Sequence, residues 1–302
     1  MLRRLRQIAL LIVVAAAAVV IRLGLFPRTA SDDAAKPEAK AATFRVATYN
    51  INYGNARLDL VVEAIRESAA DVVALQEVTD QSEPYLREQL GAEYPHMAFQ
   101  GRPGPYAAQG FGLLSKLPIA KADYLPPEHG LFGMQLVEVE FAGRRVRFVN
   151  VHLQPVRHSD VTGPISMVKA VKDAETIHAA EIAWIHAACG ATRSVADATD
   201  GKSGLDPGVP TIILGDFNSM SSFAAPTFLR ANGYTDSFAA VTADADDHPS
   251  WEWPTRYGRL RARIDYIFHD AAFQTRASRI IANESSDHFL VVSELELRAN
   301  AD

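Results

Sequence analysis

The chain has 302 residues, of which 48% are hydrophobic and 22% are charged. This is ordinary globular composition, and a chain of this length can bury a core without covalent cross-links. Its only cysteine is Cys189, which excludes an internal disulfide and a zinc cluster built on cysteines. The net charge of −6 argues against diffuse binding to polyanions, but it leaves room for a local basic groove or a bridging metal.

The N-terminal residues have the pattern of a membrane segment. Residues 1–6 are rich in arginine, and residues 8–26 contain a single polar side chain. Because about 20 apolar residues can span a bilayer, we expect a transmembrane anchor within residues 1–28, followed by a linker over 29–42. The arginines predict a cytoplasmic N-terminus and an extracytoplasmic catalytic part. The alternative is a signal peptide that is cleaved to release a secreted protein.

The rest of the chain, 43–302, is predicted to form one catalytic domain of mixed α/β structure. Short apolar runs alternate with amphipathic stretches, and Ala142-Gly143 separates two apolar runs in the manner of a hairpin turn. Few long helices are indicated, which favours an α/β sandwich with helices outside its sheets. The clearest predicted strands are 44–51, 71–78 and 211–218, and the clearest predicted helices are 58–70 and 166–188.

Polar side chains recur at the ends of the predicted strands. In a packed α/β domain, strand ends on one edge converge on one cleft. Hydrolysis of a phosphate ester requires a hard cation held by carboxylates, a base for water and donors for the developing charge. The strand-end residues include all three kinds of group: Asn50, Glu77, His152, Asp216, Asn218, Asp265, Asp287 and His288.

The segments TYNI, LQEV, NVHL, GDFN, IDYIF and SDH occur in that order, and together they resemble the endonuclease/exonuclease/phosphatase family. This family includes deoxyribonuclease I-like nucleases, abasic-site endonucleases, neutral sphingomyelinases and inositol-polyphosphate 5-phosphatases. The resemblance covers about residues 44–297. It implies a metal-dependent phosphoesterase with a four-layered sandwich of two mixed β-sheets flanked by helices. The apolar N-terminal segment places one transmembrane helix before this domain.

The resemblance also implies a metal site. Glu77 matches the principal ligand of the divalent cation, which is usually Mg²⁺, with Mn²⁺ or Ca²⁺ as alternatives. Asn50 matches the carboxamide beside that ligand, and Asp287 matches a further acid near the metal. One departure is Asn52, which stands where abasic-site endonucleases have a carboxylate. This difference counts against the abasic-site branch.

The remaining matched residues are implied to carry the chemistry. Asp216 resembles the carboxylate that orients or deprotonates the attacking water, and Asn218 resembles the carboxamide that positions it. His288 matches the imidazole that contacts the scissile phosphate, with Asp265 as its carboxylate partner. His152 matches the second histidine of the nuclease and sphingomyelinase branches, where it can donate to a phosphate oxygen.

The substrate is less constrained by the sequence than the reaction is. Arg259, Arg261 and Arg263 have period-two spacing, which predicts one basic face of a strand that could bind a nucleic-acid backbone beside Trp251 and Trp253. A solvated strand with no such role is the alternative. The predicted anchor instead favours a phospholipid substrate, although no extended apolar hairpin that could enter a bilayer is evident.

Two other interpretations remain. A catalytically silent, membrane-tethered binding module is a rival to an enzyme, and no protein partner is indicated.

His178, Glu181 and His186 share a predicted helix, and we expect them to form a solvated helix face rather than a metal site.

Overall fold

The computed structural model describes residues 42–101, 104–156, 164–189, 208–255 and 258–299. The predicted membrane segment and all but the last residue of the predicted linker lie outside these ranges. Within them, no helix is both long enough and apolar enough to cross a bilayer.

Two mixed β-sheets form the centre of the fold. The first sheet consists, in spatial order, of β13 (Phe273–Ile281), β14 (Leu290–Leu297), β1 (Ala42–Asn50), β2 (Val72–Gln76), β4 (Phe111–Ser115) and β3 (His96–Gln100). The second consists of β5 (Ile119–Leu125), β6 (Met134–Phe141), β7 (Arg144–His152), β8 (Thr211–Asp216), β12 (Asp265–His269) and β9 (Thr235–Asp236). Each sheet contains one parallel pair, β1 with β2 and β7 with β8.

Three apolar clusters define four layers. The middle cluster joins the facing sides of the two sheets, with Phe44 and Val72 on one side and Phe148 and Ile212 on the other. An outer cluster packs α1 (Leu58–Ser68) and α2 (Ser82–Leu90) against the first sheet. The other outer cluster packs α3 (Pro164–Ala188) and α4 (Ala224–Ala231) against the second sheet. The prediction of two mixed sheets flanked by helices is therefore confirmed.

A buried polar network joins the two sheets between the apolar clusters. The side chain of Gln76 donates to Asn150 Oδ1 at 2.7 Å and to Thr48 Oγ1 at 3.0 Å. Asn150 Nδ2 in turn lies within 3.2 Å of three acceptors, including the Leu75 carbonyl at 3.0 Å. Because buried polar groups are costly when unpaired, this network fixes one alignment of the two sheets.

The predicted hairpin turn is present between β6 and β7. Ala142 and Gly143 both have positive φ, of 51° and 76°. A two-residue turn with both central residues in the left-handed region matches the twist of antiparallel strands. The register then runs from the Phe141–Arg144 pair to the Met134–Val151 pair, which brings the end of β7 to the edge where the site lies.

A second hairpin, β10 (Trp251–Thr255) with β11 (Gly258–Ala262), was not predicted. It forms a separate two-stranded unit, and its first residue, Trp251, makes an isolated bridge to His288. Trp253 and Leu260 face each other across it, and they are 43% and 51% exposed. The hairpin thus presents one exposed apolar pair on strands of five residues each.

Candidate active site

Asn50 and Glu77 come from the first sheet. Asn50 is the last residue of β1 and pairs with Gln76, the last residue of the parallel strand β2. Glu77 follows Gln76 directly, so Asn50 and Glu77 lie side by side. Asn50 Nδ2 donates to Glu77 Oε1 at 3.0 Å and to Asp216 Oδ2 at 3.0 Å. Glu77 has a φ of 62°, a backbone conformation that costs energy in a residue with a side chain and that collects at functional sites. The carboxamide of Asn50 therefore links acids from the two sheets.

The second sheet brings three more groups to the same edge. His152, Asp216 and Asp265 lie opposite one another on β7, β8 and β12. All three are almost completely buried. His152 and Asp216 share this edge because the carboxyl ends of the parallel strands β7 and β8 meet there. Asp265 joins them because it begins the antiparallel strand β12.

His288 lies against Asp265. The distance from His288 Nδ1 to Asp265 Oδ2 is 3.0 Å, so Nδ1 carries the proton and donates it to the carboxylate. Asp265 Oδ2 also accepts a hydrogen bond from Ser250 Oγ at 2.7 Å. This arrangement fixes the ring of His288 with its Nε2 directed towards Asp216, 3.6 Å from Oδ2.

Asp216 is at the centre of the site. Its Oδ2 lies 3.5 Å from His152 Nε2 and 3.6 Å from His288 Nε2. Its Oδ1 accepts the backbone N–H of Asn218 at 2.8 Å. The carboxamide of Asn218 donates instead to the Leu153 carbonyl at 2.9 Å. Asn218 therefore orients Asp216 through its backbone rather than through the side chain that the family resemblance suggested.

Asp287 lies at the rim, where Asn52 and Trp251 hold it. Asn52 Nδ2 donates to Asp287 Oδ1 at 2.8 Å, and Trp251 Nε1 donates to Oδ2 at 3.2 Å. A carboxylate at position 52 would face Asp287 with like charge. The departure noted in the sequence thus has a structural counterpart, because a neutral donor occupies the position.

The electrostatics of the site separate its two histidines. Burial lowers the pKa of His152, so its imidazole is neutral at neutral pH. Burial by itself would lower the pKa of His288 too, but the Asp265 and Asp216 carboxylates raise it to about 10. Burial raises the pKa of both Glu77 and Asp216 above the usual range of carboxyl groups.

The donor set suits a hard divalent cation. Carboxylate and carboxamide oxygens are the ligands that Mg²⁺ prefers, and the buried acids gain from a neighbouring positive charge. Among the described residues, one group of acids and histidines has ligand atoms within 4.8 Å of one another, namely Asp216, Asp265 and His288. Since Asp265 already binds His288 and Ser250, we consider it an orienting group. Glu77 Oε1 lies 3.8 Å from His152 Nε2, and Glu77 accepts hydrogen bonds only from the Asn50 side chain and the Tyr53 backbone among the described contacts.

The three arginines do not share a face beside the cleft. Arg259 and Arg261 both pair with Glu252, which lies across the hairpin from Arg261. Alternation puts these side chains on the face of the hairpin opposite to Trp251, whose indole reaches Asp287. Arg263 lies beyond the end of β11 and is only 5% exposed. The prediction that all three arginines form one basic face is therefore wrong, whereas a contact of Arg259 or Arg261 with the substrate stays a prediction.

Arg263 has a structural role in the described part of the chain. Its guanidinium donates to Asp236 Oδ2 at 2.8 Å and to Asp246 Oδ1 at 3.0 Å. It also lies 4.6 Å from the centre of the Tyr266 ring. These contacts join segments that are distant in sequence, so no local pattern could have predicted them.

Two residues of the site were missed in the sequence. Ser250 orients Asp265, and Phe132 stacks on the His152 ring with centroids 4.2 Å apart and an interplanar angle of 21°. No motif contains either residue. Phe132 could have been suspected only from its position shortly before β6.

The sequence profile of the endonuclease/exonuclease/phosphatase family matches residues 47–288. This match includes every strand-end residue of the site. The chain belongs to this family. It is accordingly a phosphoesterase, as the segment order implied, and the comparison with curated protein sequences gave no significant match.

Solved structures agree on the fold. A Beutenbergia cavernae protein of the same family is 20% identical with a TM-score of 0.58, covering 84% of this chain and 72% of its own. A Bacteroides thetaiotaomicron family protein is 16% identical with a TM-score of 0.60, covering 86% and 100%. Danio rerio TDP2 with a single-strand DNA product is 13% identical with a TM-score of 0.60, covering 84% and 99%. At these identities the similarity concerns the fold.

Proposed function

We propose that this protein is a divalent-metal-dependent phosphodiesterase with nuclease-type activity. The observation that carries the proposal is the position of Asp216. Its carboxylate is held by Asn50 and by the backbone of Asn218, and it lies between the imidazoles of His152 and His288. A base fixed beside a protonated imidazole, that of His288, suits attack of water on a phosphate ester.

The residues have distinct roles in this proposal. Asp216 accepts the proton of the attacking water, and its orientation is fixed before the substrate binds. His288 is protonated near neutral pH and donates to a phosphate oxygen, while Asp265 holds its ring in place. His152 lies on the other side of Asp216 from His288, beside the place proposed for the phosphate. Its ring stacks on Phe132, which holds its orientation.

The metal ligands are proposed to be Glu77 and Asn50, with Asp287 nearby. A bound Mg²⁺, or Mn²⁺ or Ca²⁺ in its place, would polarise the phosphate and neutralise charge on it. The protein contributes the alignment of Glu77, whose Oε2 accepts the backbone N–H of Tyr53 at 2.8 Å while Oε1 accepts Asn50. A catalytically silent module has no need for such an assembly of buried acids and histidines.

Exposed aromatic side chains favour single-stranded nucleic acid as the substrate. Tyr53, whose backbone N–H donates to Glu77, is 55% exposed, and Tyr106 is 43% exposed and lies edge-on to Phe132. Trp253 lies on the same hairpin face as Trp251. Aromatic rings near a phosphate-binding site can stack on successive bases without sequence preference. Danio rerio TDP2, of similar fold, was solved with a single-strand DNA product.

A phospholipid is the second candidate. Trp253 and Leu260 form an exposed apolar pair on the hairpin, and Met220, two residues after Asn218, is 43% exposed. Such side chains could enter the interface of a bilayer, and the N-terminal apolar segment predicted from the sequence would hold the enzyme there. The two candidates share the reaction and differ in what lies beside the scissile phosphate.

A hydrolysis panel with the full chain tests the proposal. We expect Mg²⁺-dependent cleavage of bis-nitrophenyl phosphate and of single-stranded DNA, and little cleavage of an abasic duplex, sphingomyelin or phosphoinositide vesicles. Trp253→Ala should raise KM for DNA about tenfold, since stacking contributes roughly 1–3 kcal/mol per base. Val241→Ala, at an exposed apolar residue elsewhere, is the control. Vesicle cleavage without DNA cleavage would establish the phospholipid alternative.

We also propose that the catalytic domain acts on the extracytoplasmic side of a membrane. The support is the arginine-rich start of the chain followed by residues 8–26, with cleavage and secretion as the alternative. A reporter fused after Asp302 should be active only outside the cytoplasm. Protease added to spheroplasts should release the domain by cutting within 29–42, and full protection of the chain would reverse the orientation.

A further inference from the structure

His178 on α3 is enclosed by two groups that can only accept hydrogen bonds. Its Nδ1 lies 3.1 Å from Glu175 Oε1, and its Nε2 lies 2.6 Å from the carbonyl oxygen of Gln154. The side chain is completely buried. Because both ring nitrogens face acceptors, both must carry a proton, and His178 is an imidazolium. The expectation of a solvated helix face is therefore wrong.

Glu175 connects this imidazolium to the loop that follows β8. Its Oε1 accepts Ser219 Oγ at 3.1 Å, and its Oε2 accepts the backbone N–H of Ala224 at 2.6 Å. Ser219 comes directly after Asn218, whose backbone orients Asp216. One end of the ion pair thus holds the segment that sets the direction of the proposed base.

Gln154 connects the other end to the loop that follows β7. It lies two residues after His152, and its backbone N–H donates to Glu181 Oε2 at 3.2 Å. Glu181 also packs against Gly130, where an added Cβ would lie only 1.7 Å from Glu181 Oε1. Gly130 leads to Phe132, which stacks on His152. Positions 175, 178 and 181 recur on one side of α3 and reach the loops on both sides of the site.

The charges of the pair are consistent with this geometry. Burial by itself would lower the pKa of His178, but its hydrogen bonds to Glu175 and to the Gln154 carbonyl raise it above the ordinary value. Burial would likewise raise the pKa of Glu175, yet the hydrogen bonds from His178 and from the Ala224 backbone hold it below the usual range. Both partners therefore keep their charge.

We propose that the buried His178–Glu175 ion pair is a positioning device: it holds the loops that follow His152 and Asp216 and so aligns these two residues for phosphoester hydrolysis. The inference rests on the proposed function of that site. Neither residue touches the reacting groups, so both act through the backbone of Gln154 and through Ser219. Breaking the pair releases the two loops independently, and the base and the second histidine lose their common alignment.

The matched comparison is between two buried histidines of the same helix. His186 packs edge-on to the rings of Phe228 and Tyr234. We expect His178→Gln to lower kcat about 10- to 100-fold with little change in KM, as misaligned catalytic groups do. His186→Gln should lose a similar amount of thermal stability and keep its kcat. Equal losses of kcat in the two variants would overturn the proposal.

Glu175→Gln provides a graded test. The carboxamide can donate to a neutral His178 Nδ1 while Nε2 still donates to Gln154, so the geometry survives without the charges. Its kcat should lie between those of the wild type and His178→Gln. A wild-type kcat in Glu175→Gln would show that the charges of the pair are not needed and would overturn the proposal.

Two measurements separate failure of this inference from failure of the proposed function. The first measurement is NMR of ¹⁵N-histidine-labelled protein at pH 7.5. One imidazole signal should show protons on both ring nitrogens, and this signal should be missing from the spectrum of His178→Gln. Hydrogen exchange in 153–156 and 216–222 should accelerate in His178→Gln and not in His186→Gln. A neutral His178 or unchanged exchange would overturn the inference even if the enzyme is active. Absence of hydrolysis with both results as expected would instead overturn the proposed function.

Discussion

Asp265 and Asp216 lie opposite each other on antiparallel neighbours β12 and β8, and their carboxylates face the two nitrogens of one imidazole, that of His288. One carboxylate binds Nδ1 directly at 3.0 Å, and the other stands 3.6 Å from Nε2. In the proposed mechanism, Asp216 is the acid that takes a proton from water. The sheet register therefore places Asp265 and Asp216 in different relations to the same imidazole.

The assignment of Asp216 predicts a large and specific kinetic effect. Asp216→Asn keeps the hydrogen bond from Asn218 and removes the basic oxygen. We expect kcat on bis-nitrophenyl phosphate to fall by about two to four orders of magnitude, the usual contribution of general-base catalysis. Asp270→Asn, at a half-buried acid beside the other end of β8, is the control. A folded Asp216→Asn enzyme with near-normal kcat would identify the carboxylate as structural.

The proposed role of Glu77 predicts a linked loss of activity and metal response. Glu77→Gln should abolish hydrolysis and remove the rise in Tm that Mg²⁺ gives the wild type, because a ligand that binds only the folded state stabilises it. Glu88→Gln, at an exposed glutamate of α2, should behave like the wild type. Recovery at saturating Mg²⁺ would mean weakened binding, and full wild-type activity in chelator would contradict the metal mechanism.

The raised pKa of His288 predicts how stability depends on pH without metal. The pKa rises from an ordinary 6.5 to about 10 on folding, so the stabilisation is fully present below pH 6.5 and is lost as pH rises through about 10. In chelator, the difference in unfolding free energy between wild type and His288→Gln should therefore be largest below pH 6.5.

The control for this pH dependence is His186, whose pKa burial lowers. Its stabilising contribution is lost as pH falls, so the difference between wild type and His186→Gln should not shrink at high pH. Denaturant unfolding from pH 6 to pH 10 measures both differences. A His288→Gln difference that stays constant over this range would show that the imidazole is not held by the two carboxylates.

The loss of stability on replacing an arginine of the hairpin region should depend on how deeply that arginine is buried. Removing the Arg263 charge leaves Asp236 buried and unpaired, and breaking a buried pair in this way costs about 3–5 kcal/mol. Arg263→Gln should therefore lower Tm strongly. The double variant Arg259→Gln with Arg261→Gln should change Tm little, because exposed pairs contribute about 0–1 kcal/mol.

The same variants test the substrate. Since Arg259 and Arg261 lie on the hairpin face away from Trp251, KM for single-stranded DNA and its salt dependence should hardly change in the double variant. A flattened salt dependence would show that the backbone of the substrate crosses that face.

The network between the sheets predicts an effect on both stability and rate. Asn150→Ala removes one acceptor of the Gln76 amide and one donor to the Leu75 carbonyl, and a buried polar group that loses its partner costs about 1–3 kcal/mol. Since Gln76 precedes Glu77, kcat should fall along with Tm. We would measure Tm and kcat for Asn150→Ala and compare them with those of Thr43→Ala, a control at the opposite end of β1. Loss of stability with unchanged kcat would limit the network to a structural role.

The sequence by itself determined the family, the reaction class and the identity of the residues at the strand ends. Those features are local: an apolar run of fixed period ends in a polar side chain, and six short segments keep their order. The chain order of Asn50, Glu77, His152, Asp216 and His288 was therefore readable before any contact was known.

Only the tertiary structure decided which face each side chain occupies and which acid does what. Period-two spacing placed Arg263 with Arg259, but the strand ends at Ala262, and a distant acid, Asp236, draws the guanidinium into the interior. Likewise, helical spacing made His178 resemble a surface residue, whereas the Gln154 carbonyl encloses it. Periodicity describes one segment at a time. Burial and charge depend on the partner that another segment brings, so they are fixed only when the sheets and loops pack.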